Sequence, residues 1–411
     1  MHLRSILVLP GFILFSTIAG GVWAQETRAE AAYRLRADKA EALQRYEQGR
    51  VETFLSRMES EYLVQRVFNP PNGVFLRYGG FPEGAGLAAG PAHRYSNRWL
   101  TLTTSGAVSV QRYWDVETRL AFPRVVAAPR REEGRFFAEV GARLRDLPRE
   151  DFYGLGPDTE RSTRSNYSLR ETSIEATGGV SPLSWLSVAG SVEYLRPRVG
   201  RGRDPRLPST EQLFTDADAP GLHGQPDFRR VGARVSVDYT DRLVAPRSGG
   251  RYVISYSKYE DQDAGSRSFG RWDLDVRQYI PLVGRSRFLA LRAYAASAAP
   301  DGGQEVPFFL QPTLGGGDSL RGLPSYRLRD RNLLLLQAEY RWEVNYFLAG
   351  VIFYDAGQVA RRRADFKLGE LKHDYGFGVR LGWMQDAAVR AEVAFGGNEG
   401  PRLVLKFNDA F

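Results

Sequence analysis

The sequence predicts an all-β fold, a transmembrane antiparallel β-barrel preceded by a helix. Three observations predict it: a secretory signal at the start of the chain, alternation of apolar and polar residues over most of its length, and a final alternating segment that ends on Phe411. An outer-membrane barrel requires such alternation, because each strand faces lipid on one side and the barrel interior on the other.

Residues 1–24 predict a cleaved secretory signal peptide. Arg4 precedes an apolar run from Ile6 to Val22, and Val22-Trp23-Ala24 supplies small residues at a cleavage site. Proline and glycine interrupt the apolar run, which favours cleavage after Ala24 over retention as an N-terminal membrane anchor. We therefore expect an exported protein that resides in the bacterial outer membrane.

Residues 25–94 are predicted to form a periplasmic helix followed by a loop. From residue 27 to about 67, apolar side chains recur every three or four residues, which gives one apolar and one charged helix face. These side chains are Leu43, Tyr46, Val51, Phe54, Leu55, Met58 and Tyr62. The pattern fits a helix packed on its own domain as well as one lying along the barrel mouth or the membrane surface. Asn69 to Pro91 is rich in proline and glycine, which predicts a loop or an irregular start of the barrel.

Residues 95–411 are assigned to the barrel, because period-two alternation replaces the helical period from about Trp99 onward. Segments that place apolar residues at every second position include Phe136 to Leu144, Val231 to Tyr239, Trp272 to Ile280, Leu334 to Trp342 and Val389 to Phe395. The intervening positions often carry both Arg and Asp or Glu, which suits a wet barrel interior better than the solvent face of a soluble sandwich. About fourteen such strands can be counted, and a barrel that wide needs something besides its own interior side chains to occupy or gate its lumen.

Composition supports export and argues against nucleic-acid binding. The chain after Ala24 has no apolar run near the roughly 20 residues of a spanning helix, so it is either an exported soluble protein or a barrel. It contains no cysteine, so its stability must come from a hydrogen-bonded framework or a large core. The net charge of +8 is almost entirely due to arginine, which reflects either arginine-rich codon usage or contact with a lipid surface. Because the chain carries an export signal, we expect no nucleic-acid partner.

The C-terminal segment 402–411 places Leu403, Leu405 and Phe407 on one face and ends on Phe411. A terminal phenylalanine after an alternating strand resembles the signal that outer-membrane barrels present to their assembly machinery, although Asp409 replaces the usual apolar residue. We therefore expect two partners, the barrel assembly machinery during biogenesis and the outer-membrane lipid afterwards.

A glycine- and arginine-rich stretch, LGGGDSLRGLPSYRLRDRN, runs from Leu314 to Asn332 between two predicted strands. Its Leu320-Arg321-Gly322-Leu323 resembles the Val/Ile-Arg-Gly-Tyr/Phe tip of the inward-folded loop in the BamA/TamA-like outer-membrane translocon superfamily, also called the bacterial surface antigen family. Gly315 and Gly316 resemble the lead-in to that tip. Phe353, Asp355 and Gly357 resemble the family's Phe-x-Asp-x-Gly strand motif, and the residues from Asp241 to Gly249 resemble its Asp…Pro-x-x-Gly strand start.

The resemblance covers about residues 95–411 and implies a barrel of about sixteen strands with the long loop folded inward. It implies that Arg321 pairs with Asp355 on the barrel wall, and that the chain inserts or translocates an unfolded protein or a lipid. Two features depart from the family pattern. Leu323 stands where the family prefers an aromatic residue, and the segment before the first strand is too short and too helical for a periplasmic POTRA domain.

The remaining loop arginines are Arg327, Arg329 and Arg331. They are expected either to be solvated or to pair with lumen carboxylates such as Glu339, Asp273 or Asp275.

Two other functional classes fit the sequence less well. A hydrolase needs a nucleophile with a base and an orienting partner, yet His93, His223 and His373 lie in loops or turns without a Gly-x-Ser-x-Gly elbow or a His-x-x-x-His spacing. A passive or gated diffusion pore shares the strand pattern and the terminal aromatic but does not explain the two motifs. We therefore predict no catalytic residues, no metal site and no cofactor.

Overall fold

The computed structural model describes residues 33–34, 70, 72–123, 135–242, 245–263, 265–283, 286–345, 348–383, 387–396 and 400–406. The predicted signal peptide lies outside these residues, as does the predicted helix apart from helical Tyr33 and Arg34. All described residues from position 70 onward belong to one compact unit, Glu61–Phe411. In this described part of the chain, no helix has the length and apolar character that crossing a membrane requires.

The described residues contain eighteen strands, which account for most of the fold. In chain order they are β1 (Gly73–Tyr78), β2 (Ala88–Ser96), β3 (Thr101–Ser109), β4 (Trp114–Phe122), β5 (Arg135–Phe152), β6 (Ser165–Leu183), β7 (Leu186–Arg201), β8 (Phe228–Asp238), β9 (Gly249–Asp261), β10 (Phe269–Val283), β11 (Arg287–Pro300), β12 (Thr313–Leu314), β13 (Leu328–Arg329), β14 (Asn332–Glu343), β15 (Leu348–Ala360), β16 (Lys372–Trp383), β17 (Ala387–Gly396) and β18 (Arg402–Lys406).

Sixteen of these strands form one antiparallel sheet in which each strand pairs with its neighbour in the chain. The sheet omits β12 and β13, which pair only with each other, so β11 is followed directly by β14. The predicted all-β class and strand number are confirmed.

The sheet begins before residue 95, within the proline- and glycine-rich segment that the sequence predicts as a loop or an irregular start of the barrel. β1 and all but the last two residues of β2 lie in the segment assigned to the helix and loop. The alternation of apolar and polar residues is hard to detect here, because β2 is made largely of small residues and proline. Pro91 of β2 lies opposite Leu76 of β1. Gly90 lies so close to β3 that a Cβ atom there would be 2.0 Å from the carbonyl oxygen of Gly106. The backbone ladder forms even though few apolar side chains alternate along β2.

The two faces of the sheet have opposite character, as the alternation predicts. On β17, Arg390 and Glu392 are fully buried, whereas on neighbouring β16 the apolar Phe377 is 56% exposed. On β15, Asp355 is fully buried while Ile352 and Tyr354 are half exposed. We call the buried, charged face the inner face and the exposed, apolar face the outer face.

The longest connection, residues 301–331 between β11 and β14, folds against the inner face. Leu314, Leu320 and Leu328 of this connection form a buried cluster with Leu335 of β14 and Val359 of β15. Earlier in the connection, Phe308 packs on Phe152 of β5 and Tyr167 of β6, with ring centroids 4.9 Å apart in each case. The connection therefore spans the enclosed side of the sheet and touches strands far apart in the strand order.

Candidate functional site

The tip of the 301–331 connection is a tight turn that two glycines make possible. The N–H of Gly316 donates to the carbonyl of Leu323 at 2.9 Å, which closes the turn around residues 317–322. Gly315 and Gly316 have φ angles of 111° and 93°, in the left-handed region that favours glycine. A Cβ atom on Gly315 would lie 2.0 Å from the carbonyl oxygen of Pro324. These glycines bring the tip, residues 315–323, close against the sheet.

Arg321, at the centre of the tip, inserts into a group of three carboxylates on the inner face. Its Nε and Nη2 donate to the two carboxylate oxygens of Asp355 at 2.7 and 3.0 Å, so the pair is bidentate. The same Nη2 also lies 2.8 Å from a carboxylate oxygen of Glu339, and Nη1 lies 3.2 Å from one of Glu392. The guanidinium carbon lies 3.7 Å from the ring centroid of Phe353, which adds a cation–π contact. Arg321 and the wall carboxylates (Glu339, Asp355 and Glu392) are all fully buried.

The surrounding carboxylates stabilise the protonated form of the Arg321 guanidinium. Burial lowers its pKa, but the attraction of Glu339, Asp355 and Glu392 is stronger, so the pKa stands above its usual value. Arg321 is therefore positively charged at neutral pH.

Three wall arginines complete the charge balance on the inner face. Glu339 accepts hydrogen bonds from Arg341 at 2.7 Å and from Arg380 at 2.6 Å. Glu392 accepts from Arg390 at 3.3 Å and from Arg380 at 3.4 Å. These cations offset the cost of burying the wall carboxylates. Arg321 therefore joins an ion-pair network that the wall strands already form.

Gly322 packs directly on β16. Its N–H donates to a carboxylate oxygen of Asp374 at 2.9 Å. A Cβ atom at this position would lie 2.8 Å from the Cβ of Asp374, closer than real Cβ contacts. The glycine after Arg321 is thus needed for the tip to approach the wall, because any side chain there would push the tip away.

Residues on either side of Arg321 tie the tip to further strands. Asp318 accepts a hydrogen bond from Arg390 at 2.8 Å and forms an ion pair with Lys406 of β18. The side-chain amide of Gln337 on β14 donates to the carbonyl of Ser319 at 2.9 Å. The tip is therefore linked by polar contacts to β14, β15, β16, β17 and β18.

Glu83, in the connection between β1 and β2, links the two ends of the strand order through the tip. One of its oxygens pairs with Arg402 of β18 at 2.7 Å. The other accepts hydrogen bonds from the N–H of Gly317 at 2.8 Å and from the hydroxyl of Ser325 at 3.2 Å. Sequence reasoning did not identify Glu83, because it lies in an irregular segment and its partners are more than 230 residues away in the chain.

The remaining motif residues pack beneath the tip or between the connection and β15. Leu320 is fully buried and Leu323 is 9% exposed in the cluster beneath the tip. A Cβ atom on Gly357 would lie 2.8 Å from the carbonyl oxygen of Leu334 and 3.0 Å from Leu314, so Gly357 lets the connection pack on β15.

The described part of the predicted assembly signal lies on the outer face. Leu403 and Leu405 of β18 are 64% and 62% exposed, whereas the predicted signal residues Phe407 and Phe411 lie outside the described residues.

For Arg327 and Arg329, predicted to be solvated or to pair with lumen carboxylates, the structure gives hydrogen bonds to oxygen atoms near β5 and β6. Arg327 donates to the carbonyl of Thr159 at 2.7 Å. Arg329 donates to the carbonyl of Phe308 at 2.8 Å and to the hydroxyl of Tyr167 at 3.2 Å. This part of the connection lies against β5 and β6, which are far from the strands of the wall carboxylates in the strand order.

The comparisons with known proteins agree with the fold. A family model described as the Omp85 superfamily domain matches residues 111–396. The solved structure of BamA from Haemophilus ducreyi lacking POTRA domains 1-3 aligns with a TM-score of 0.61 and 13% identity, over 81% of this chain and 69% of that one. CdiB from Escherichia coli aligns with a TM-score of 0.51 and 13% identity, over 82% of this chain and 60% of that one. No curated protein sequence matches the chain significantly. At this identity the two structures establish a shared fold.

Proposed function

The chain belongs to the Omp85 superfamily and is an outer-membrane β-barrel of this assembly and translocation family, and from that membership we propose that it inserts or translocates a protein or lipid substrate at the outer membrane. The observation that carries the proposal is the connection of one buried loop tip to both ends of the strand order. Arg321 is held by the wall carboxylates, while Asp318 pairs with Lys406 and Gly317 with Glu83. A permanently open diffusion pore has no need for such a connection.

The proposed route for a substrate is the seam between β1 and β18, the outermost strands of the sheet. An outermost strand offers backbone N–H and C=O groups to which an incoming extended segment can add. In the described residues, β1 has six residues and β18 has five, fewer than any other strand of the sheet. Within the described residues no backbone ladder joins β1 to β18, so the seam is the place where the sheet opens with the least loss of hydrogen bonds.

The loop tip is proposed to control this seam. Glu83 and Arg402 bring the connection after β1 into contact with β18, and Gly317 joins the same carboxylate. Movement of the tip would break its contact with Glu83, through Gly317, and its contact with Lys406 of β18, through Asp318, together. When the tip lies on the inner face it also holds the elements beside β1 and β18 together, so its displacement would weaken the seam.

The alternative function is a gated diffusion pore. The full burial of Arg321, Leu314 and Leu320 speaks against a permanently open channel, because these residues occupy the enclosed side of the sheet. A gate remains compatible with the structure, since displacement of the 301–331 connection would vacate that space.

The experiment that separates these functions uses proteoliposomes and a urea-denatured outer-membrane barrel as substrate. Since the chain has no cysteine, Glu83→Cys with Arg402→Cys introduces a single pair that a reducible cross-linker can join. We expect the protein to accelerate folding of the substrate barrel, the cross-link to abolish the acceleration and reduction to restore it. Each single-cysteine variant treated with the same reagent is the matched control. Folding no faster than in liposomes without the protein would contradict the insertion function, and solute leakage from the same liposomes would then support the pore.

A further inference from the structure

The connection between β15 and β16, residues 361–371, folds back onto the outer face of the sheet. The N–H of Lys367 donates to the side-chain oxygen of Gln358 at 3.2 Å. Gln358 and Ala360 point to the outer face, since they alternate with inner-face Val359, yet they are only 3% and 2% exposed. Farther along β15, the outer-face residue Ile352 is half exposed. The connection therefore covers one end of an otherwise apolar surface.

A groove of about 450 Å³ lies between this connection and β9 to β14. Its floor includes a row of outer-face residues that are paired across the sheet: Ile254 with Leu274, Leu274 with Ala295, and Ala295 with Leu334. Ala295 makes the floor deep, because its small side chain lies between two leucines. Trp272 and Phe366 also line the groove. The volume is within the range of about 300–1,000 Å³ that is usual for small-molecule sites.

One cation lies at the groove, Arg363. Its guanidinium Nε donates to the hydroxyl of Ser297 at 3.0 Å, and the side chain is exposed. Within the described part of the chain, no carboxylate lies at ion-pair distance from Arg363, whereas the adjacent Arg362 pairs with Asp365 at 3.2 Å. Arg363 thus keeps its remaining N–H donors available at the edge of an apolar groove.

We propose that this groove binds a phosphorylated glycolipid of the outer leaflet, with an acyl chain against Ala295 and Leu274 and a phosphate on Arg363. The outer face is the lipid-facing face of a membrane barrel, so a chain entering the groove need not leave the bilayer. Long connections of outer-membrane barrels lie on the extracellular side, which places the groove in the outer leaflet. A guanidinium forms strong, geometrically defined hydrogen bonds to phosphate.

Two features favour a lipid over a protein segment. Trp272 lines the groove on the outer face, and tryptophan at the level of the headgroups is typical of membrane interfaces. The groove also combines apolar walls with a cation at one side, which matches an amphiphile with one charged end. Basic pockets beside membrane-facing surfaces recognise lipid headgroups by the same chemistry.

The test is native mass spectrometry of the full-length protein in detergent, titrated with diphosphoryl lipid A. We expect one lipid bound per chain, and we expect Arg363→Gln to weaken binding by about tenfold, the value of one hydrogen bond to a charged group. Arg362→Gln is the matched control, because it removes a neighbouring charge that is already paired, and it should change binding less than threefold. Ala295→Phe fills the floor of the groove and should abolish binding. Heat-modifiable gel migration establishes that each variant is folded.

Three results would overturn the proposal. Equal binding of lipid A by wild type and Arg363→Gln would show that Arg363 does not contact the phosphate. Equal losses in Arg363→Gln and Arg362→Gln would mean diffuse attraction to a basic surface. Equal binding of lipid A and phosphatidylcholine would mean an apolar crevice without headgroup recognition. If Ala295→Phe does not fold, the two arginine variants decide the question alone. None of these measurements depends on substrate insertion.

Discussion

Arg321 and Asp355 are joined by two parallel hydrogen bonds of 2.7 and 3.0 Å, and both side chains are fully buried. The pair joins a loop tip to the wall of a sheet across 34 residues of chain. Because the guanidinium also contacts Glu339 and Glu392, its removal would leave three carboxylates facing each other with one cation fewer. The pair therefore determines whether the 301–331 connection can stay in its observed position.

Replacement of Arg321 should destabilise the folded protein strongly. We expect Arg321→Ala to lower the free energy of unfolding by about 3–5 kcal/mol, as for other buried pairs that lose one partner. Arg321→Lys should recover only part of this loss, because an ammonium group cannot form the two parallel bonds to Asp355. Urea titration in detergent, followed by gel migration, measures the change. The matched control is Arg170→Ala, which removes a largely exposed partner of Asp146 and should cost less than about 1 kcal/mol. Similar losses for both alanine variants would contradict the special position of Arg321.

Gly322 should tolerate no side chain. A Cβ atom there would lie 2.8 Å from Asp374, so Gly322→Ala forces the tip away from β16 and should cost about 1–3 kcal/mol. Gly302→Ala in the same connection provides the control, since nothing lies within 4 Å of a Cβ atom at that position. Limited proteolysis of the connection reports the displacement. Cleavage that is unchanged in Gly322→Ala would show that the tip does not depend on this close approach.

Glu83 should protect β18, the last described strand, against local unfolding. We expect Glu83→Gln to weaken its contacts with Arg402 and Gly317 together, and to accelerate amide hydrogen exchange in β18. An increase of about tenfold corresponds to about 1.4 kcal/mol of lost local stability. Glu117→Gln, which removes an ion pair with half-exposed Arg119 on β4, should leave exchange in β18 unchanged. The coupling of the tip to the seam is refuted if β18 exchanges at the same rate in Glu83→Gln and in the wild type.

A charged substitution on the outer face should destabilise the protein in a bilayer. Ile352 is half exposed on the outer face of β15, and in water a lysine there would cost little. In a bilayer, Ile352→Lys should cost up to about 2–4 kcal/mol, depending on its depth. Leu368→Lys is the control, because Leu368 is 77% exposed in the connection after β15. Folding yields into lipid vesicles measure the difference. Equal yields for the two variants would argue against lipid contact at Ile352.

The sequence predicted the fold class well, because period-two alternation acts on every long strand. The inner-face positions of β14 and β17, such as Glu339 and Arg390, follow directly from that period. β1 and β2 were missed as strands because glycine, alanine and proline give little alternation, although their backbone hydrogen bonds are regular. Local side-chain pattern was therefore a better guide to long strands than to the first two.

The site was only partly accessible to sequence reasoning. The motif around Arg321 and the motif around Asp355 can be recognised separately, and the resemblance supplies their pairing. Nothing local to Glu83 or Arg329 indicates their partners, since these depend on how the 301–331 connection crosses the enclosed side of the sheet. The groove beside Arg363 is likewise a product of folding, because it requires the β15–β16 connection to turn back onto the outer face.

The most direct test of the central claim is the single-channel conductance of the purified protein in planar bilayers, with wild type compared to Arg321→Ala. The claim is that the tip, held by Arg321 on the wall carboxylates, keeps the enclosed space occupied. We expect small, flickering currents from the wild type and larger or less stable currents from folded Arg321→Ala. Large, steady wild-type currents that the substitution leaves unchanged would contradict the account and favour an open diffusion pore.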